Sequence, residues 1–289
     1  MRCDLHVHTV HSGLCTVPVL SRICLESYNE PHALYAAAKS RGMDLVTVTD
    51  HDSIDAVEDL RRYPDFFLSE EVTCHMPSGT KIHAGVYGIS EHDYIELQRR
   101  RTDIGSLLAY ANERRLFVTV NHVYSRLTGK RTDEDFAFFA RDFHGVETLN
   151  GQMLKSANKL AAQFAKRFGK SCVAGSDSHA MASVGTTWTG VPQAAGIDEF
   201  LIGLRRGRTV TGGAHGNWWK LTSTVNEIGL SLMKREPWML AFFFLLGVAP
   251  MVTLANYFRE MMFAAHWVRR NRATDMRDGM RDGIAREAA

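Results

Sequence analysis

From residue 2 to about residue 210 the chain alternates short apolar runs rich in β-branched residues with segments of helical period. Few folds accept that alternation, because strands each followed by a helix pack as βα units around a parallel sheet or a barrel. Strands are expected at Arg2–Val7, Leu45–Thr49, Phe66–Thr73, Ile82–Gly88, Phe117–Asn121, Gly145–Leu149 and Ser171–Ala174. Helices are expected near 32–41, 54–62, 104–115, 132–142, 154–168 and 198–206, with Asn29-Glu30-Pro31 as a helix start and Gly42 as its stop. Seven strands with interleaved helices suit a barrel-like α/β domain better than an open two-layer sheet.

Beyond residue 210 the pattern changes. The glycine-rich stretch 211–217 marks a boundary, so residues 1–210 read as one domain and 211–236 as a linker with an amphipathic segment. Residues 237–258 carry no charge over 22 positions, between Glu236 and Arg259, which meets the roughly 20 residues a helix needs to cross hydrocarbon. Trp238 and Tyr257 sit near its ends as interfacial aromatics would, although Pro250 would kink it and a buried or oligomerising helix fits the same composition. A transmembrane helix is the expectation, followed by a charged tail at 259–289. The opening MRCDLHVH lacks the apolar stretch of a secretory signal, which suggests a cytoplasmic N-terminal domain anchored to the inner membrane. The five cysteines form no CxxC spacing and read as unpaired thiols.

Histidine is abundant, at 13 residues, and its placement carries the chemistry. In DLHVHT, residues two apart on a strand face one side, so Asp4, His6 and His8 project together, as two imidazoles suited to zinc, iron or manganese would. TVTDHDS ends an apolar strand with Asp50, His51 and Asp52; Asp52 or Ser53 suits a cap for the helix that follows, and Asp50 and His51 are the sharper site candidates. SEEVT places Glu70 and Glu71 on opposite faces of a strand, so one enters a shared site while the other is solvated or salt-bridged. His83 and His122 each stand at a strand end, and Asp177 and His179 repeat the spacing of His6 and His8. Six such clusters, each where a strand runs out, point to a multinuclear metal centre on the face where α/β barrels build their sites.

In this order the motifs DLHVHT, TDH, SEE, the two lone histidines and SDSH resemble those of the polymerase and histidinol phosphatase (PHP) family, over about residues 2–190. The resemblance implies a distorted (β/α)7 barrel and a metal-dependent phosphoesterase using two or three divalent ions, zinc, manganese or iron. It implies that His6 and His8 bind a first metal with Glu71 and Asp177. Glu71 then bridges to a second metal held by His83 and His122, and His51 and His179 bind a third. Alignment selects Glu71 over Glu70, with Ser69 where the family has glycine. The family's aspartate after the first motif falls on Gly13, ahead of an inserted stretch of about residues 14–30, so the third metal needs a substitute from His11, Glu26 or His32.

The reaction expected from the resemblance is hydrolysis of a phosphate monoester of a small metabolite or nucleotide by a hydroxide bridging two ions. Asp50 or His179 is positioned to protonate the leaving group, and Arg126 and Lys130, just after His122, are the nearest cations to hold the phosphate. An exonuclease or phosphodiesterase acting on oligonucleotides is the enzymatic alternative. With 34 Lys+Arg against 32 Asp+Glu and no basic stripe, nucleic acid is not the expected partner. The alternative of another class is a catalytically silent metal-binding scaffold in a membrane complex. The expected partners are therefore a phosphorylated small molecule and, through residues 237–258, a membrane.

Overall fold

The structure, a computed structural model, describes the backbone of residues 1–16 and 20–287 and the side chains of those residues up to Asn271. The elements run β1 (Arg2–Cys3), α1 (Pro31–Ser40), α2 (Val57–Leu60), β2 (Ser69–His75), β3 (Lys81–Tyr87), α3 (Glu91–Arg100), α4 (Ile104–Glu113), β4 (Phe117–Val120), α5 (Asp133–Asp142), β5 (Gly145–Asn150), α6 (Lys155–Arg167), β6 (Ser171–Gly175), β7 (Thr187–Gly190), α7 (Ile197–Arg205), β8 (Val210–Gly213), α8 (Trp218–Arg235), a 3-10 segment at Pro237–Gly247, and α9 (Ala249–Glu287).

Local chemistry explains most helix ends. Pro31 opens α1, where its missing N–H costs nothing. Ser90 with Asp93, and Thr132 with Asp135, form reciprocal capping boxes on α3 and α5. Helix α6 buries Ala157, Leu160, Ala161, Phe164 and Ala165, a single apolar stripe laid on the strands.

Two sheets are formed, β2-β3-β4-β5-β6 and β1-β7-β8. Backbone hydrogen bonds link the extended segments into a ring of seven. The segment after β1 meets residues 44–51 (Asp44 N to Arg2 O, 2.9 Å; Thr49 N to Val7 O, 2.9 Å). That segment bridges in parallel to Phe66 and Glu71. β2 and β3 form an antiparallel hairpin, β3 and β4 are also antiparallel, and β4-β5-β6 are parallel. Asp177 N to His6 O at 2.6 Å and His8 N to Ser178 O at 3.1 Å close the ring. Closure needs Gly175, since a Cβ there would lie 2.2 Å from that of His6. The expected barrel is therefore present in distorted form: the strands expected at 2–7 and 45–49 hold the ring mainly through isolated bridges, and two of its pairings are antiparallel.

Within 211–236, where a linker and an amphipathic segment were expected, the chain is structured. β8 pairs with β7, and α8 is an 18-residue helix. The expected transmembrane helix over 237–258 is corrected. The segment is a 3-10 turn, non-helical at Phe242, followed by α9 at a 57° bend, and among the described residues no single helix is long and apolar enough to cross a membrane. Pro250 is the physical reason: its ring would clash with the preceding turn and it offers no N–H, so a new helix starts at Ala249 with Pro250 in its first turn.

The C-terminal helices dock on the barrel. Trp267 packs against Phe136 at 4.5 Å between ring centres with the rings tilted by 59°, Arg270 pairs with Asp133, and the Thr222 and Thr253 hydroxyls meet at 2.6 Å between α8 and α9. All five cysteines are free, as their spacing suggested.

Candidate metal centre

Glu71 sits in β2 where residues 50–52 run alongside it, and it is completely buried. Five imidazoles face its carboxylate. His51 Nδ1 lies 3.1 Å away, His6 Nε2 3.2 Å, His122 Nε2 3.3 Å, His83 Nδ1 3.5 Å and His8 Nε2 3.6 Å. Asp177 Oδ1 completes the group, 3.4 Å from His8 and 3.5 Å from His6. His179 stacks on His8 at 4.3 Å between ring centres. All eight residues expected to ligate metal thus converge. Their atoms form four sets compact enough to hold an ion: His6, His8 and Glu71; His6, His122 and Asp177; His51, Glu71 and His83; and His8, His51 and His179.

These residues fit cations on their own chemistry. Five buried imidazole nitrogens and Glu71 Oε2 find no hydrogen-bond partner. Leaving so many polar atoms dry and unpaired is costly, and a cation bound among them removes that cost. Burial raises the proton affinity of Glu71, yet His6, His83 and His51 hold it well below the usual carboxylate range. Burial and the neighbouring His179 push His8 down to about 4, so its imidazole is neutral and has a lone pair to give. Burial likewise lowers His51, whereas the carboxylates of Glu71, Asp177 and Glu147 overcome burial at His6 and keep its proton affinity high. His122 and Asp177 both hold left-handed backbone (φ 30° and 50°), a strain that concentrates at functional sites.

A second layer of residues orients this one. Glu147 Oε1 accepts from His6 Nδ1 at 2.7 Å, which frees Nε2 for the site, and Glu147 Oε2 accepts the His122 backbone N–H at 2.8 Å. Ser12 gives its only proton to Asp50 at 2.6 Å, so it must accept from His8 Nδ1 at 3.0 Å, which again leaves Nε2 free. Asn121 donates to Glu71 Oε1 at 2.8 Å. Glu147 was not among the expected site residues. Its signal is an acidic side chain in the middle of an apolar strand.

Several expectations are redirected. Both Asp50 oxygens are taken, by Thr9 and Ser12, and Asp50 does not line the pocket; it positions His8 rather than reaching a leaving group. Of the two acid candidates, only His179 lines the pocket. Asp4 accepts the Ser176 and Gly185 amides and ties strand ends together. Glu70 is neither solvated nor salt-bridged: it is buried, takes a hydrogen bond from Gln98 at 2.8 Å, and burial pushes its carboxyl up to about 8. Asp52 pairs with Arg101 at 2.7 Å instead of capping a helix. Arg126 and Lys130 are exposed and do not line the pocket, although their neighbours Ser125, Leu127 and Thr128 do; the lysine on the pocket wall is Lys81.

The cavity over Glu71 measures about 470 Å³ and is walled by both parts of the chain. The barrel gives the histidines, Asp177 and Lys81; the C-terminal helices give Leu221, Asn256, Tyr257 and Glu260. Glu260, itself buried, accepts the Arg126 backbone N–H at 3.1 Å. A larger cavity, between α5, α6 and α9, lies away from the histidines.

Residues 155–209 match the family model PHP_C, described as PHP-associated. No curated protein matches the sequence. Among solved structures, PsfC from Pseudomonas syringae PB-5123 is similar in fold, with a TM-score of 0.55 at 15% identity over 82% of this chain and 98% of that one. A protein from Bifidobacterium adolescentis named as a metal-dependent phosphoesterase gives 0.47 at 13% identity over 71% and 96% of the two chains. A lesion-specific endonuclease from Pyrococcus furiosus gives 0.48 at 16% identity over 71% and 56%. The resemblance to the PHP family thus rests on the metal motifs brought together around Glu71 and on the matching segment 155–209.

Proposed function

We propose that the chain is a metal-dependent phosphoesterase that hydrolyses a phosphate monoester of a small metabolite or nucleotide in the pocket over Glu71. The observation that carries this reading is one buried carboxylate faced by five imidazoles, four of which turn an unpartnered nitrogen toward it, in a cavity sized for a single small ligand. His6, His8, Glu71 and Asp177 would hold one divalent ion, and Glu71, His83 and His122 a second. The donors are nitrogen and oxygen without thiolate, a set suited to zinc, manganese or iron. Such ions, when bound, supply a water of lowered pKa and neutralise phosphoryl oxygens.

The chain's own residues do the rest. Glu147 and the Ser12–Asp50 pair fix His6 and His8 in one tautomer and one orientation. Asn121 holds Glu71 at its Oε1 edge. Lys81 on the pocket wall offers a positive charge to an arriving phosphate, while Leu221 and Tyr257 add apolar surface to the same wall. A single lysine beside the pocket supports a short phosphorylated substrate over an extended polyanion, which needs a row of cations.

The membrane part of the reading is a surface contact. Leu240, Phe243, Phe244, Met251 and Val252 are each more than half exposed, and exposed Lys234, Arg235 and Arg259 flank them, a pairing suited to an anionic lipid surface beside the cytoplasm. The catalytic reading is tested by hydrolysis of an aryl phosphate before and after chelation, with add-back of manganese or zinc. Activity should vanish on chelation and return with metal, and undiminished turnover by metal-free protein would sink the mechanism.

A further inference from the structure

The outer edge of the site is formed by a hairpin the alternating pattern does not require. Residues 13–15 and 24–26 pair with one another: Leu14 bridges Leu25 in antiparallel fashion, Cys15 N donates to Cys24 O at 2.9 Å, and Glu26 N donates to Gly13 O at 2.9 Å. Glu26 therefore stands directly across the hairpin from Gly13. Gly13 has φ 82°, a left-handed conformation that side-chain-bearing residues avoid, so a carboxylate at position 13 would be strained. The carboxylate of Glu26 reaches the same neighbourhood from the opposite strand. Its Oε2 lies 3.6 Å from His51 Nε2 and its Oε1 lies 3.9 Å from His179 Nε2.

Two further observations point to a ligand there. His179 Nδ1 is 3.0 Å from the Asp177 carbonyl and so carries the proton, which leaves Nε2 facing Glu26 with a free lone pair. The ligand atoms of His51 and His179 also lie, with His8, in one set compact enough to hold an ion, so the two rings on which Glu26 converges already have the spacing of a cation site. The hairpin is also held from outside. Cys24 is buried in a cluster with Leu232, Met233 and Met239 of the C-terminal helices, and Leu20, Ile23 and Tyr28 pack against it.

We propose that Glu26, presented by this inserted hairpin, is the carboxylate ligand of an outer cation site completed by His51 and His179, in place of a residue at position 13. The proposal rests on the phosphoesterase reading for the inner ions. His179 Nε2 is then occupied by the cation, so it acts as a ligand and not as the proton donor to the leaving group.

The test is metal stoichiometry on the full chain. Purified wild type and Glu26→Gln are dialysed against excess manganese and then against metal-free buffer, and ions per chain are counted by elemental analysis alongside thermal melts. Wild type should retain one more ion than Glu26→Gln, with both variants melting cooperatively, and Glu26→Asp should recover part of the loss. Equal stoichiometry and equal manganese affinity in the two proteins would overturn the role of Glu26 while leaving the inner site standing. Wild type that retains no ion at all would overturn both.

Discussion

The barrel and the C-terminal helices invert the usual distribution of polarity in opposite ways. In the barrel, Glu71, His6 and His8 lie out of contact with water, although ionisable groups are expected outside. In the tail, Phe243, Phe244, Met251, Val252 and Met262 are more than half exposed, although large apolar groups are expected inside. Each inversion needs a partner that the polypeptide does not supply. For the barrel it is positive charge; for the tail it is an apolar or lipid surface. The two regions meet at the pocket, whose floor is barrel and whose lip is tail. The tail also grips the Glu26 hairpin, so it shapes the site even where it contributes no ligand.

The strongest way to break this comparison is at its polar pole. Glu71→Gln removes the charge that five imidazoles face while keeping the shape. Aryl phosphate turnover should fall at least about 10³-fold, roughly 4 kcal/mol of barrier. Retained ions should fall with it. A variant that keeps both would mean the histidines serve the fold alone, which is the scaffold alternative. Glu147→Gln is the milder cut, since it loosens the tautomer of His6 without removing a ligand; metal affinity should drop about 10- to 100-fold in a competition titration with a chelating dye. An affinity unchanged by this substitution would show that His6 needs no outer support.

What was legible in the sequence follows the range of the interactions involved. Strand ends such as TDH and SDSH announce their ligands because alternation along a strand is local. The strands β2 and β3 and the helices α1, α4, α5 and α6 were legible for the same reason, whereas the antiparallel pairing of β2 with β3 was not. Helix α3 was not, because its residues are mostly charged and only Asp93 and Leu97 are buried; the Ser90–Asp93 capping box was the available signal. Strands β7 and β8 are four residues each, rich in Thr and Gly, and exist because β1 and β7 offer an edge. Arg126 and Lys130 were chosen by nearness to His122; their segment does reach the pocket, but through Ser125, Leu127 and Thr128, while the two cations stay in solvent. The bend at Pro250 shows composition and conformation parting: the uncharged run has the length of a span, but proline divides it.

The apolar pole gives a smaller effect. The wild-type chain should co-float with vesicles containing anionic lipid, and the double substitution Phe243→Ser, Phe244→Ser should weaken that partition by at least about tenfold, since burying each phenylalanine is worth roughly 1.5–3 kcal/mol. Phosphatase activity on a soluble ester should stay unchanged, because neither residue lines the pocket. Wild type that remains unbound to lipid would leave the exposed apolar face to a protein partner.

The smallest effect comes from a buried carboxylate that is satisfied entirely by protein, and it serves as the control for Glu71. Asp93 is almost fully buried, yet it takes hydrogen bonds from Arg114 at 2.8 Å, Tyr110 at 2.7 Å and the Ser90 hydroxyl at 2.7 Å. Burial raises its proton affinity, but Arg114 and Ser90 outweigh it and hold the carboxyl below its ordinary value. A depressed carboxyl adds stability that is present above the unfolded value near pH ~4 and is lost as pH falls through the folded one. Asp93→Asn should therefore lower urea stability by about 1–2 kcal/mol at pH 7 and by progressively less below pH ~4. Metal should not change that difference. If chelation altered the Asp93→Asn penalty as strongly as it alters Glu71→Gln, the cations would be holding the whole barrel together, and the distinction between a carboxylate satisfied by protein and one awaiting an ion would fail.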